Sequence, residues 1–138
     1  MTFYNMTRFH FVSKIALLGA VVALSGCASL SGSEGAVKSR AHNFWQARVE
    51  GRPDKAYELT TPSYRQVKSF QQYRVKFAGL GAKAAEVEGV KCEAERCVAR
   101  IKLAVQPGLA LLKLDSIEMY MDDVWVREDG QWWHYEAP

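Results

Sequence analysis

Val37, Ala41, Phe44, Trp45, Arg48 and Val49 recur at spacings of three and four, which places them on one stripe of an amphipathic helix. Gly51 predicts the exit of that helix, because glycine tolerates the left-handed backbone a helix end requires, and Pro53 predicts the first turn of the next. The second helix is short, from Pro53 to Leu59. Thr60-Thr61-Pro62 breaks the pattern ahead of Ser63-Tyr64-Arg65, and Ser69 with Gln72 forms a capping-box signature for a third helix carrying Phe70, Tyr73 and Phe77. Gly79 and Gly81 close this helical half.

From about Ala84 onward the helical period gives way to alternation. Cys97, Ala99, Ile101, Leu103 and Val105 share one face of a half-buried strand, with Val98, Arg100 and Lys102 on the other. Cys92 is expected to face Cys97 across the turn Glu93-Ala94-Glu95-Arg96. Strict alternation from Cys92 would then drag Glu88 and Glu86 onto the apolar face. A bulge at Gly89 restores the parity, so that Val87 and Ala85 point inward and the glutamates reach water. Asp129-Gly130 is a two-residue hairpin signal between Val124–Glu128 and Gln131–Tyr135, with Ile117, Met119 and Met121 extending the first strand. Asp122-Asp123 reads as a solvated kink between the halves of that strand.

Helices followed by a meander of about four strands predict an α+β domain, with about three N-terminal helices packed on a curved antiparallel sheet. The opening Ala41-His42-Asn43-Phe44-Trp45 helix, the Gly51-Arg52-Pro53-Asp54-Lys55-Ala56-Tyr57 step, Thr61-Pro62-Ser63-Tyr64-Arg65 and the terminal Trp125–Trp132 hairpin resemble the NTF2-like (cystatin-like) superfamily. The resemblance implies a conical pocket between helices and sheet, with Trp45, Tyr57, Tyr73, Phe77, Trp133 and Tyr135 as its lining. It also implies a precedent for catalysis. In ketosteroid isomerase a pocket aspartate moves a proton beside a carbonyl while a tyrosine and a protonated acid hold the oxyanion. Asp123 and Tyr57 are the residues such a reading would recruit, but no motif of that enzyme is matched, and no catalytic residue is assigned.

The chain begins in a different style. Arg8 and Lys14, with no acidic residue near them, precede the ten apolar residues Ile15 to Leu24, the layout of a secretory leader. Such a run is too short for a bilayer core of about 30 Å. Leu24-Ser25-Gly26-Cys27 closes it and resembles the lipobox of bacterial lipoproteins. The resemblance implies cleavage before Cys27, a diacylglycerol on its thiol and acylation of the new amino group. Two or three acyl chains hold firmly where one holds marginally. Ala28, in place of an aspartate, implies the outer membrane, with the domain facing the periplasm. The expected organisation is a leader over 1–26, a lipidated cysteine and flexible tether over 27–35, and the folded domain over 36–138.

Composition adds mostly exclusions. Two of the 18 Lys and Arg fall in the leader, leaving sixteen against 15 acids in the mature chain. A net charge near +1 without a Lys/Arg block argues against nucleic acid as a partner. Cys92 and Cys97 remain once Cys27 is committed to lipid, and an even pair in an exported domain favours a disulfide. Only His42 and His134 would be available as further soft ligands, so no metal or other cofactor is expected. Trp125, Trp132, Trp133 and Tyr135 crowd the last hairpin, and alternation sends some of them away from the core. The expected interface is Trp125 and Trp132 with His134 at the surface beside them, meeting an envelope protein or a second copy. The function expected is that of a non-catalytic interaction or accessory module, with the carriage of a small apolar ligand in the pocket as the other reading.

Overall fold

The computed structural model describes residues 25–77, 81–106 and 116–138, with side chains from residue 32 onward. Helix α1 (Ser25–Val49) carries the predicted stripe, and Val37, Ala41, Phe44 and Trp45 are all buried. It ends as its sequence requires. Gly51 takes φ +67°, and the Arg52 N–H reaches back 2.8 Å to the Ala47 carbonyl, tying off the last turn. The segment expected to be a tether, residues 29–35, is helical and continuous with α1. Once a packed segment such as 37–49 has nucleated a helix, each added residue gains a hydrogen bond at little further cost. The leader as far as Leu24 lies outside the described residues.

Three short helices follow: α2 (Pro53–Glu58), α3 (Pro62–Val67) and α4 (Phe70–Phe77). The predicted capping box at the start of α4 is present, with the Ser69 N–H donating to Gln72 Oε1 at 2.9 Å and the Gln72 N–H to Ser69 Oγ at 3.4 Å. Helix α3 corrects the reading of Thr60-Thr61-Pro62 as a simple break. Thr61 Oγ1 accepts from the Tyr64 N–H at 3.2 Å, and Pro62 occupies a first-turn position where its missing N–H costs nothing. Glu128, from the far end of the sheet, accepts from both the N–H and the hydroxyl of Ser63 at 2.9 Å.

The sheet is a meander of four antiparallel strands in sequence order: β1 (Ala82–Glu93), β2 (Arg96–Val105), β3 (Ile117–Glu128) and β4 (Gln131–His134). In register, Val87 pairs with Ile101 and Gly89 with Arg100, so Glu88 is the extra residue of a bulge where the alternation required one. Val87 is buried, Ala85 packs on the core, and Glu86 and Glu88 are exposed. Asp129 and Gly130 both have positive φ, at 52° and 75°, as a two-residue turn of the I′ kind demands. The first hairpin turn is tighter than expected. Glu93 pairs with Arg96, leaving Ala94 and Glu95 as the loop, with Ala94 at φ 48°.

The helices cover one sheet face. Trp125, Ile101 and Leu103 from the sheet and Tyr73, Phe44 and Val37 from the helices are the largest fully buried apolar side chains among the described residues. The opposite face carries paired charges, Arg100 with Asp122 at 2.9 Å and Lys102 with Glu118 at 2.8 Å. The outer edge of β4 is closed by the chain ahead of α3. The His134 N–H donates to the Leu59 carbonyl at 2.9 Å, and the Thr61 N–H to the His134 carbonyl at 3.2 Å.

Candidate functional site

Strand β3 runs unbroken through Asp122-Asp123, and its alternation decides which side chains meet α1. Asp123 pairs with Ala99 and Trp125 with Cys97, residues that are themselves fully buried. Asp123 is therefore not part of a solvated kink. It is 4% exposed, and the Trp45 indole N–H donates to its Oδ2 at 2.5 Å. Across the β3–β4 ladder Trp125 faces His134, so His134 also turns inward at 7% exposure, stacked 4.0 Å from the Phe44 ring. The expected surface patch of Trp125, Trp132 and His134 is thus corrected, for all three are buried. The physical reason is register. A strand that buries Asp123 for Trp45 must bury Trp125 two residues on, and the partner strand follows.

His134 stands between two carboxylates, near both and hydrogen-bonded to neither. Its Nε2 lies 3.6 Å from Asp123 Oδ2 and its Nδ1 3.5 Å from Glu136 Oε1, while Glu136 Oε2 meets Lys76 Nζ at 3.2 Å. The result is a chain from the Trp45 indole through Asp123, His134 and Glu136 to Lys76. Within it Asp123 accepts the hydrogen bond of Trp45, whereas His134 Nδ1 is buried without a hydrogen-bond partner.

The rings expected to line a pocket divide into groups. Tyr57, Tyr73 and Phe77 come together, with centroid separations of 5.3 Å between the tyrosines and 5.8 Å from Tyr73 to Phe77. The Tyr57 hydroxyl is committed to the Lys68 carbonyl at 2.6 Å. Trp45 joins them through Arg48, whose guanidinium lies 4.7 Å from the Phe77 ring, 5.2 Å from Trp45 and 5.8 Å from Phe44. Burial pushes the Tyr73 phenol well above the usual tyrosine range, while the charge of Arg48 works the other way. Trp133 stands apart beneath two other cations, Arg40 at 4.6 Å and Arg65 at 4.9 Å, and Tyr135 is half exposed. Burial, and then the nearby charge of Arg65, pull the Arg40 guanidinium below its ordinary value.

A cleft of about 390 Å³ opens beside Arg48, lined also by Val49, Gly51, Pro53, Arg74, Phe77, Gly81 and Ala82. Of these only Phe77 was expected at a site. Arg48 carried a signal, since it is a cation at a core position of the helical stripe; Arg74 carried none. Cys92 and Cys97 form the expected disulfide, with Cα atoms 4.0 Å apart. Among the described residues no three His, Cys, Asp or Glu side chains gather to hold a metal ion, and no helix is long and apolar enough to cross a membrane.

These elements define an α+β domain of four helices on a curled antiparallel sheet, and solved structures share it. It is similar to a SEC-C motif containing protein from Rhodopseudomonas palustris, with a TM-score of 0.57 and 15% identity over 80% of this chain and 85% of that one. It is similar also to a candidate NTF2-like transpeptidase from Campylobacter jejuni, with a TM-score of 0.52 and 13% identity over 73% of this chain and 98% of that one. A third likeness is to TsrD from Streptomyces laurentii, with a TM-score of 0.51 and 19% identity over 72% and 87% of the two chains. No family model matches the chain, and no curated protein shows significant similarity to it in sequence. Identities this low speak for the fold alone.

Proposed function

We propose that this chain is an exported lipoprotein, anchored at Cys27 to the outer membrane of a bacterial envelope, whose NTF2-like domain serves as a non-catalytic binding or accessory module in the periplasm. The observation that carries the non-catalytic part is the commitment of the two side chains that such chemistry would recruit. Asp123, the residue a ketosteroid-isomerase-like reading would recruit, is spent on Trp45, and the Tyr57 hydroxyl on the Lys68 carbonyl. The alternative of an apolar ligand held between helices and sheet loses support for the same kind of reason. Phe44, Trp45, Trp125 and His134 touch one another in that space. The Cys92–Cys97 bond fits an oxidising compartment.

Labelling of growing cells that express the full chain tests the anchor. The wild-type protein should incorporate radiolabelled palmitate and fractionate with outer membranes, and Cys27→Ala should lose the label and leave the membrane fraction. An unlabelled wild-type chain, or a Cys27→Ala variant that stays with the membrane, would remove the lipoprotein reading.

A further inference from the structure

The cleft beside Arg48 is not used by the reading above. Among the described residues its lining holds two guanidiniums, those of Arg48 and Arg74, and no acidic residue. Among the described residues neither arginine has a carboxylate partner, although six other cationic residues, Arg52, Lys55, Lys76, Arg100, Lys102 and Arg127, do. Arg48 is half-buried against three aromatic rings, and its Nε is buried without a hydrogen-bond partner. A cation removed from water without a counter-ion is costly, and an arriving anion would offset that cost. Val49, Pro53, Phe77 and Ala82 make the rest of the wall mostly apolar, and the volume of about 390 Å³ falls in the range of small-molecule sites.

We infer that this cleft binds a small organic carboxylate, its charged end between Arg48 and Arg74 and its apolar body against Phe77. A guanidinium matches a carboxylate with paired N–H donors, which a lone apolar contact does not supply. The inference does not depend on the lipid anchor, and its failure would leave the anchoring proposal standing.

The test uses the full-length protein in a nonionic detergent and three probes: 3-phenylpropionate, the uncharged 3-phenylpropanol, and inorganic phosphate. Saturation-transfer NMR and the thermal midpoint are the readouts. Binding of 3-phenylpropionate is expected, with the alcohol and phosphate each at least tenfold weaker, since one lacks the charge and the other the apolar body. Arg74 lies on the exposed side of α4, so Arg74→Gln should fold normally and weaken 3-phenylpropionate about tenfold, the loss expected for one charge-assisted hydrogen bond. Lys91→Gln, on β1 outside the cleft, should change nothing. Equal binding of the acid and the alcohol would overturn the inference, as would an unchanged affinity in Arg74→Gln. So would an affinity that falls equally in Lys91→Gln, which would reveal general charge attraction.

Discussion

Single side chains decide what this interior can do, and Tyr73 shows how. Its ring is 2% exposed and its hydroxyl lacks a hydrogen-bond partner, so the phenol resists ionisation in the folded protein. The native state keeps that proton above pH 10, where an unfolded tyrosine gives its own up. The unfolded state then binds fewer protons than the native one, and stability falls as pH rises beyond about 10, by up to about 1.4 kcal/mol per pH unit for one group. Tyr73→Phe should shallow this alkaline slope. It should also leave stability at pH 7 within about 1 kcal/mol of wild type, since the hydroxyl it removes is unpaired. Urea unfolding at pH 7, 9 and 11 measures both effects, and an unchanged alkaline slope would show that Tyr73 ionises normally in the fold. None of this was visible in the sequence, where Tyr73 is one more apolar position. Asp123 was misread for a related reason, because a carboxylate beside another carboxylate looks like solvent-facing strand until the Trp45 indole is found opposite it.

Elements were more legible than residues, and where they were, a local rule was enough. The capping box at Ser69, the helix exit at Gly51, the bulge beside Gly89 and the turn at Asp129-Gly130 each rest on a few neighbouring residues, and each stands where the pattern placed it. Helix α3 was missed because two of its supports are not local. Thr61 and Pro62 are ordinary break residues until Glu128, sixty-five positions away, accepts from Ser63 and holds the first turn. The Cys92–Cys97 hairpin invites a quantitative test at this scale. The bond closes a very short loop, which limits its stabilisation to about 2 kcal/mol on chain-entropy grounds. The register is independently specified by the apolar faces of β1 and β2. The double variant Cys92→Ser/Cys97→Ser should therefore unfold at lower urea with an unchanged denaturant slope and an unchanged far-ultraviolet circular dichroism spectrum. A variant without native secondary structure would mean that the bond directs the pairing instead of securing it.

Across the whole molecule, the helical and strand halves are joined through a small set of rings, and Trp125 stands at their centre. It is fully buried, edge-on to Phe44 of α1 at 6.2 Å and to His134 of β4 at 5.5 Å, so removing it separates three elements at once. Truncating a buried tryptophan costs about 3–5 kcal/mol, against a total stability of roughly 5–15 kcal/mol for a domain. Trp125→Ala should therefore populate unfolded chain at 37 °C. Trp125→Phe is the informative comparison. Its indole N–H has no partner in the core, so the smaller ring keeps contact with Phe44 and His134 while relieving a buried unsatisfied donor. That gain works against the cavity left behind, and the net loss should not exceed about 2 kcal/mol. Differential scanning calorimetry of the three proteins gives the ranking. If Trp125→Phe were as damaging as Trp125→Ala, the indole N–H would have to be bonded in solution. A partner there, such as a buried water, would make the ring junction a polar joint and not a dry one. If Trp125→Ala were instead tolerated, the face-selection argument that turns Trp125 inward would fail, and the last hairpin's tryptophans would again be candidates for an external partner.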